Sequence, residues 1–187
     1  MVSQDLLVRT ALAELLAARG IPADSGVSLR WVRVRMFGVP IVFPNFAARR
    51  AILFMHDVHH LLTGYETTWR GEAEIGAYEI ATGCKRYWAA WFFNIGGFLF
   101  GLVIAPRRMF RAFVRARDCT NFYGVPAERV GAMTLAAARA ELGLNQPLRA
   151  ATRRDWPAFL LWTLLFVAAY VLVPITALVL LWHWLCG

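Results

Sequence analysis

HDVHHLLTGYETTWRGEAEIGAYE, residues 56–79, holds three of the chain's four histidines and five of its twelve acidic side chains: Asp57, Glu66, Glu72, Glu74 and Glu79. Its punctuation predicts two consecutive helices. Apolar residues recur at helical spacing from Phe46 to Leu62, and Gly64 sits just beyond them as a C-terminal stop. Thr67 or Thr68 then offers an N-cap for a second helix from about Trp69 or Glu72 to Thr82, with Glu72 and Glu74 suited to its positive end. His56 and His60 are four apart and share a helix face, with Asp57 beside it. The same geometry lets paired histidines grip a metal in H-E-x-x-H sites. Glu72, across a tight turn, is the candidate third ligand, so the expected metal set is His56, Asp57, His60 and Glu72. Two histidines with carboxylates suit zinc first, with iron or cobalt as alternatives. A polar surface face carrying histidines by chance is the plain alternative. Three histidines within five residues, in a chain with one other, weigh against it.

His59 points about a third of a turn from His60 and reads as a neighbour of the ligands, a substrate-facing group or an exposed one. Glu79, two turns beyond Glu72 on the same face, reads as support for the ligands. His59 and Glu79 are therefore the candidate catalytic residues. Glu66, in the turn, reads as solvated.

The setting is a membrane. The chain is 59% hydrophobic with mean hydropathy +0.49, more apolar surface than a fold of this size readily buries. WPAFLLWTLLFVAAYVLVPITALVLLWHWL, residues 156–185, carries no charged side chain unless His183 protonates. It is long enough to span a bilayer, with tilt or a kink at Pro174 absorbing the excess length. Trp156, Trp162, Trp182 and Trp184 supply aromatic belts. Arg149, Arg153 and Arg154 precede it and nothing basic follows, so the main domain is expected on the cytoplasmic face of a bacterial inner membrane, or the matrix side of the mitochondrial inner membrane.

The net charge of +8 comes from nineteen arginines and one lysine. The arginines border apolar runs instead of forming one polar stripe, which suits an anionic membrane surface and argues against nucleic acid as a partner. Cys84, Cys119 and Cys186 are scattered, without metal-ribbon or disulfide spacing. The first twenty residues read as an amphipathic helix ending at Gly20, not a secretory signal; a transit peptide is the weaker reading. Residues 21–28 form a turn-rich linker, and residues 29–43 a short hairpin or an irregular interfacial segment. Residues 87–106, uncharged but punctuated by Asn94, Gly96, Gly97 and Gly101, read as a close-packing helix, a lipid groove or a second span. Residues 107–117 read as an interfacial basic helix, and residues 130–144 as an exposed helix capped by Thr134. The overall expectation is an all-α fold: a compact helical domain with a C-terminal transmembrane helix. It divides as residues 1–45, a helical domain at 46–145, a basic linker at 146–155 and the membrane helix at 156–186.

The spelling H-D-x-x-H, eleven residues, then E at His56, Asp57, His60 and Glu72 resembles the signature of the coenzyme Q biosynthesis protein 4 family. GGFLFGLVIAPRR (96–108) and RAELGL (139–144) are similar to that family's later helices. The resemblance covers about residues 50–145; the first 45 residues and the C-terminal span depart from it. It implies a divalent metal on the four motif residues and action at the membrane in ubiquinone biosynthesis. The implied reaction removes the C1 carboxylate from a polyprenylated 4-hydroxybenzoate-type ring, coupled to C1 oxidation. It also implies a prenylated quinone precursor, membrane lipid and other quinone-biosynthesis enzymes as partners; an oligomer is compatible with it. A non-catalytic lipid-binding scaffold that organises those enzymes is the alternative. An unrelated metal hydrolase is disfavoured by the lack of a nucleophile motif.

Overall fold

The computed structural model describes residues 3–36, 38–147 and 149–186. The two expected helices are α2 (Ala47–Thr63) and α3 (Trp69–Thr82). Gly64 stops α2 in the left-handed conformation at φ 78°, where a side chain would be strained, and its N–H bonds the His60 carbonyl. Thr68 caps α3, its hydroxyl accepting from the Gly71 N–H at 3.3 Å. A Cβ on Gly71 would stand 1.8 Å from the Glu66 carbonyl oxygen, so only glycine lets the 64–68 turn close against the first turn of α3.

Before this pair come α1 (Val8–Ala18) and a two-stranded antiparallel hairpin, β1 (Trp31–Met36) and β2 (Val39–Pro44). The hairpin corrects the all-α expectation, which holds only approximately. Arg33 and Arg35 alternate with Val32 and Val34, a period of two that gives one buried and one polar face. After α3 come α4 (Trp88–Ile104), α5 (Pro106–Ala116), α6 (Ala127–Gly131) and α7 (Leu135–Glu141). The helix expected over 130–144 is thus divided, and Thr134 caps its second part, accepting from the Ala137 N–H at 3.2 Å.

Two apolar clusters hold these elements. One joins Val8, Leu12 and Leu16 of α1 to Val58 and Leu62 of α2 and to Val130, Leu135 and Ala138. The other joins Ile80 of α3, Phe98 of α4, and Met109 and Phe113 of α5 to Phe159 and Phe166 of the C-terminal helix. The apolar stripe of α5 is therefore core. Phe110 stacks on Trp156 with ring centroids 4.0 Å apart, and the exposed positions carry Arg107, Arg108 and Arg111. Packing within the protein, not lipid, takes the face expected to be interfacial.

The α3–α4 contact depends on small residues. A Cβ on Gly101 would lie 2.5 Å from Ala73 Cβ and 2.8 Å from Met109 Sδ. The chain ends in an apolar helix of 32 residues, Asp155–Cys186, with mean hydropathy 2.7, the one helix among the described residues long and apolar enough to cross a membrane. It comprises α8 (Asp155–Val167), a π turn (Ala168–Leu172) and α9 (Val173–Cys186). The π turn falls just before Pro174, whose missing N–H and bulky ring disturb the preceding turn. The α8 part packs on α4 and α5, while α9 is exposed throughout.

Candidate metal centre

Helical spacing places His56 and His60 one turn apart on α2, their rings edge to face at 4.8 Å. The cap at Thr68 fixes where α3 begins, and Glu72 in its first turn faces them. His56 Nε2 is 3.4 Å from Glu72 Oε2, and His60 Nε2 is 3.3 Å from Glu72 Oε1. One ligand atom from each of His56, His60 and Glu72 lies within 4.8 Å of the others, and this cluster could hold a metal ion.

The surrounding hydrogen bonds fix which nitrogens face inward. His60 Nδ1 lies 2.9 Å from the Tyr65 carbonyl oxygen, which can only accept, so Nδ1 carries the proton and Nε2 a lone pair. That Nε2 is buried and has no hydrogen-bond partner. It is 3.3 Å from Glu72, but an unprotonated nitrogen beside a carboxylate oxygen is two acceptors meeting, not a bond. His56 Nδ1 faces Glu79, at 3.2 Å from Oε1 and 3.4 Å from Oε2. It too donates from Nδ1 and turns Nε2 to Glu72. Three acceptors pointed at one another repel unless a proton or a cation sits among them. A metal-binding histidine commonly donates its other N–H to a carboxylate or a carbonyl, as both do here.

Glu79 organises the layer behind the cluster. Fully buried, it accepts from His59 Nδ1 at 2.7 Å and from the Tyr123 hydroxyl at 2.7 Å, and also from His56 and the Asn94 amide. His59 is fully buried, and its Nε2 accepts the Phe122 N–H at 3.0 Å. Both its ring nitrogens are engaged by the protein. This corrects the exposed reading of His59, which is buried with its ring nitrogens held by Glu79 and the Phe122 N–H.

The electrostatics follow from this layout. Burial opposes charge on His56, but Glu79 and Glu72 outweigh it and hold its pKa well above the ordinary value. Burial likewise opposes ionisation of Glu72, and the facing side chains of His56 and His60 outweigh it, lowering its pKa. Glu79 is held well below the usual carboxylate range against its burial by His56 and His59. Its charge in turn adds to burial in raising the Tyr123 hydroxyl and in pushing the Cys84 thiol up to about 12.

Asp57, the fourth expected ligand, is not among the converging side chains. Its pKa is raised, chiefly by burial and against the pull of His56 and Ser25. Glu66 is exposed, as expected, and Glu74 pairs with Arg108 at 2.7 Å. Asn94 and Tyr123 were not candidates from the sequence. Asn94 had a readable signal: an amide within a long uncharged helix needs a buried partner. Tyr123, 44 residues from Glu79, had none. A cleft of about 620 Å³ opens beside the start of α3, lined by Arg35, Trp69, Arg70, Phe100, Ile104 and Arg108 among others.

The fold and cluster define a mostly helical protein with a candidate membrane helix and a His₂Glu site able to hold a metal. Compared with protein-family models, curated proteins and solved structures, the chain matches none.

Proposed function

We propose that the protein is a membrane-associated, metal-dependent enzyme of ubiquinone biosynthesis that removes the C1 carboxylate of a polyprenylated 4-hydroxybenzoate-type ring as carbon dioxide, with a proton taking its place at C1, or a hydroxyl group where an external two-electron oxidant takes part. The convergence of two histidine lone pairs and the Glu72 carboxylate on one point carries this reading. The separations of 3.4 Å from His56 Nε2 to Glu72 Oε2 and 3.3 Å from His60 Nε2 to Glu72 Oε1 are of the size that ligands at ~2.0–2.2 Å from one divalent cation such as zinc require. With three protein ligands a position stays open, and a cation held there supplies a Lewis acid for the ring carboxylate.

The chain's own residues supply the rest. Glu79 and the Tyr65 carbonyl orient the two histidines. Trp69, Phe100 and Ile104 offer apolar surface for a ring and the start of its tail. Arg35 and Arg70 add positive charge for an anionic substrate. Trp69 and Glu72 are three apart on α3 and share a face, so the cleft stands one turn from the cluster. The apolar C-terminal helix holds the domain at the bilayer where a prenylated substrate resides, with residues 1–155 on the cytoplasmic side.

The test is turnover by the full-length protein in detergent or vesicles, loaded with zinc, given a prenylated 4-hydroxybenzoate and an oxidant. Carbon dioxide release that Glu72→Gln abolishes while the variant keeps the helical content of the wild type is the expected result. No release, together with a Glu72→Gln protein that melts earlier, would replace catalysis by a structural metal in a scaffold.

A further inference from the structure

The C-terminal helix leaves the domain at a collar of exposed apolar side chains. The Tyr170 hydroxyl donates to the Phe92 carbonyl, and the two rings lie 5.8 Å apart. Beyond Tyr170 every described residue of the helix is exposed. Phe92 meets Phe93 at 5.4 Å, and Phe93 meets Phe43 of β2 at 6.0 Å. Phe46, just after β2, stacks on Trp88 at 5.4 Å. The base of the hairpin and the first turns of α4 therefore flank the exit of the helix.

The side chains turned outward there are about half exposed. Phe92 is 52% exposed, Trp88 59%, Val42 54% and Trp31 51%. The hairpin register pairs Arg33 with Val42 and Trp31 with Pro44, so these four share its outer face. Arg33 and the neighbouring Arg30 are exposed, and no partner for either side chain is seen among the described residues. Tryptophan, valine and arginine on one face, beside an apolar helix leaving the domain, form a surface suited to the boundary between head groups and acyl chains.

We propose that this collar is a second membrane contact: the outer face of the β1–β2 hairpin base and the N-terminal end of α4 are immersed in the head-group region of an anionic bilayer. The inference rests on reading the C-terminal helix as a span. Two attachments on neighbouring elements fix the tilt of the domain on the bilayer, which one flexible tether would not do. The occupant is lipid because the arginines match anionic head groups and the patch is continuous with the lipid-exposed surface of α9.

The experiment is nitroxide accessibility in the full-length protein, in vesicles of phosphatidylcholine and phosphatidylglycerol. Labels go on Val42→Cys, Phe92→Cys, Leu178→Cys and Ala17→Cys, each with Cys119→Ser and Cys186→Ser, which leaves only the buried Cys84. Labels at 42, 92 and 178 should collide severalfold more with oxygen than with a water-soluble nickel complex, and the label at 17 the reverse. In phosphatidylcholine alone the preference at 42 should weaken; an equal preference there would overturn the anionic component. Water-like behaviour at both 42 and 92, with 178 in lipid, would overturn the collar and leave the span standing. Water-like behaviour at 178 would remove the span and the collar with it. Shielding of 42 and 92 from both reagents would mean that protein, such as a second copy of the chain, covers the patch.

Discussion

Glu79 accepts a 2.7 Å hydrogen bond from His59, and neither side chain is exposed to solvent. His59 is in turn held by the Phe122 N–H, so Glu79 is aimed from behind by a ring that cannot rotate without losing two bonds. From this fixed position Glu79 holds His56 as a donor at Nδ1 and an acceptor at Nε2. The candidate metal cluster is thus set by a residue that does not belong to it.

Glu79→Gln keeps the shape and turns one acceptor into a donor: the amide nitrogen faces either the His56 and His59 donors at the Oε1 position or the Asn94 and Tyr123 donors at the Oε2 position. Removing the buried charge should cost about 3–5 kcal/mol of stability. Losing the orientation of His56 should weaken zinc binding ~10–100-fold. Thermal unfolding and competition with a chromogenic chelator measure the two effects. Zinc affinity equal to wild type would show that Glu79 does not position His56.

The candidate cluster of His56, His60 and Glu72 is legible in the sequence because helix period and turn chemistry are local. His56 and His60 follow from spacing of four, and Glu72 from the Gly64 stop and the Thr68 cap. Asp57 reads as a ligand because it follows His56 and precedes His60 by three, beside their shared face. A step of one residue turns a side chain about 100° around the helix, and Asp57 falls outside the converging group. Asn94 and Tyr123 reach Glu79 from α4 and from the loop before α6, contacts that depend on how α3, α4 and that loop pack. The stripe on α5 was misassigned for the same reason: basic and apolar alternation looks the same whether the apolar side meets lipid or, as here, α3 and α8. The hairpin was half visible in its period-two residues and obscured by the glycine and proline of its turn.

Stability should depend on pH in opposite ways with and without metal. His56 has a raised pKa in the folded protein, so its contribution is fully present below its unfolded value of about 6.5 and is lost as pH rises through the folded value. Glu72 and Glu79 have lowered values, so theirs are present above about 4.5 and lost only as pH falls through their folded values. The chelator-treated protein should therefore be most stable between these limits and melt progressively earlier toward pH 9. A metal displaces the proton on His56 Nε2, so the rise in melting temperature on adding zinc should grow with pH over the same range. Unfolding scans with chelator and with zinc give both curves. A chelated protein whose melting temperature is flat from pH 6 to 9 would contradict the proton's place between His56 and Glu72.

Two glycines of α4 should respond differently to the same substitution. At Gly101 a methyl group would sit 2.5 Å from Ala73 Cβ, forcing α3 and α4 apart, so Gly101→Ala should destabilise by about 1–3 kcal/mol. At Gly97 the nearest atom is the Glu72 carbonyl oxygen at 3.6 Å, an ordinary contact. Gly97→Ala should be neutral or stabilise by up to ~1 kcal/mol through helix propensity. Chemical unfolding of the two variants side by side tests the α3–α4 packing, and equal effects would refute it.

Asp155 ties the C-terminal helix to the domain. Its carboxylate accepts from Arg117 at 2.8 Å, from Arg149 at 2.8 and 3.1 Å, and from the Thr152 N–H and hydroxyl at 2.7 and 2.8 Å. Asp155→Asn keeps the size, removes the charge that gathers Arg117 and Arg149, and frees the 149–154 segment. Trypsin should then cut after Arg149, Arg153 or Arg154 severalfold faster than in wild type. Zinc affinity should be unchanged, because Asp155 shares no partner with His56, His60 or Glu72. Digestion followed by mass spectrometry reads the first; chelator competition reads the second. Cleavage at the wild-type rate would mean that the packing of Phe159 and Phe166 holds the helix in place without this ion cage.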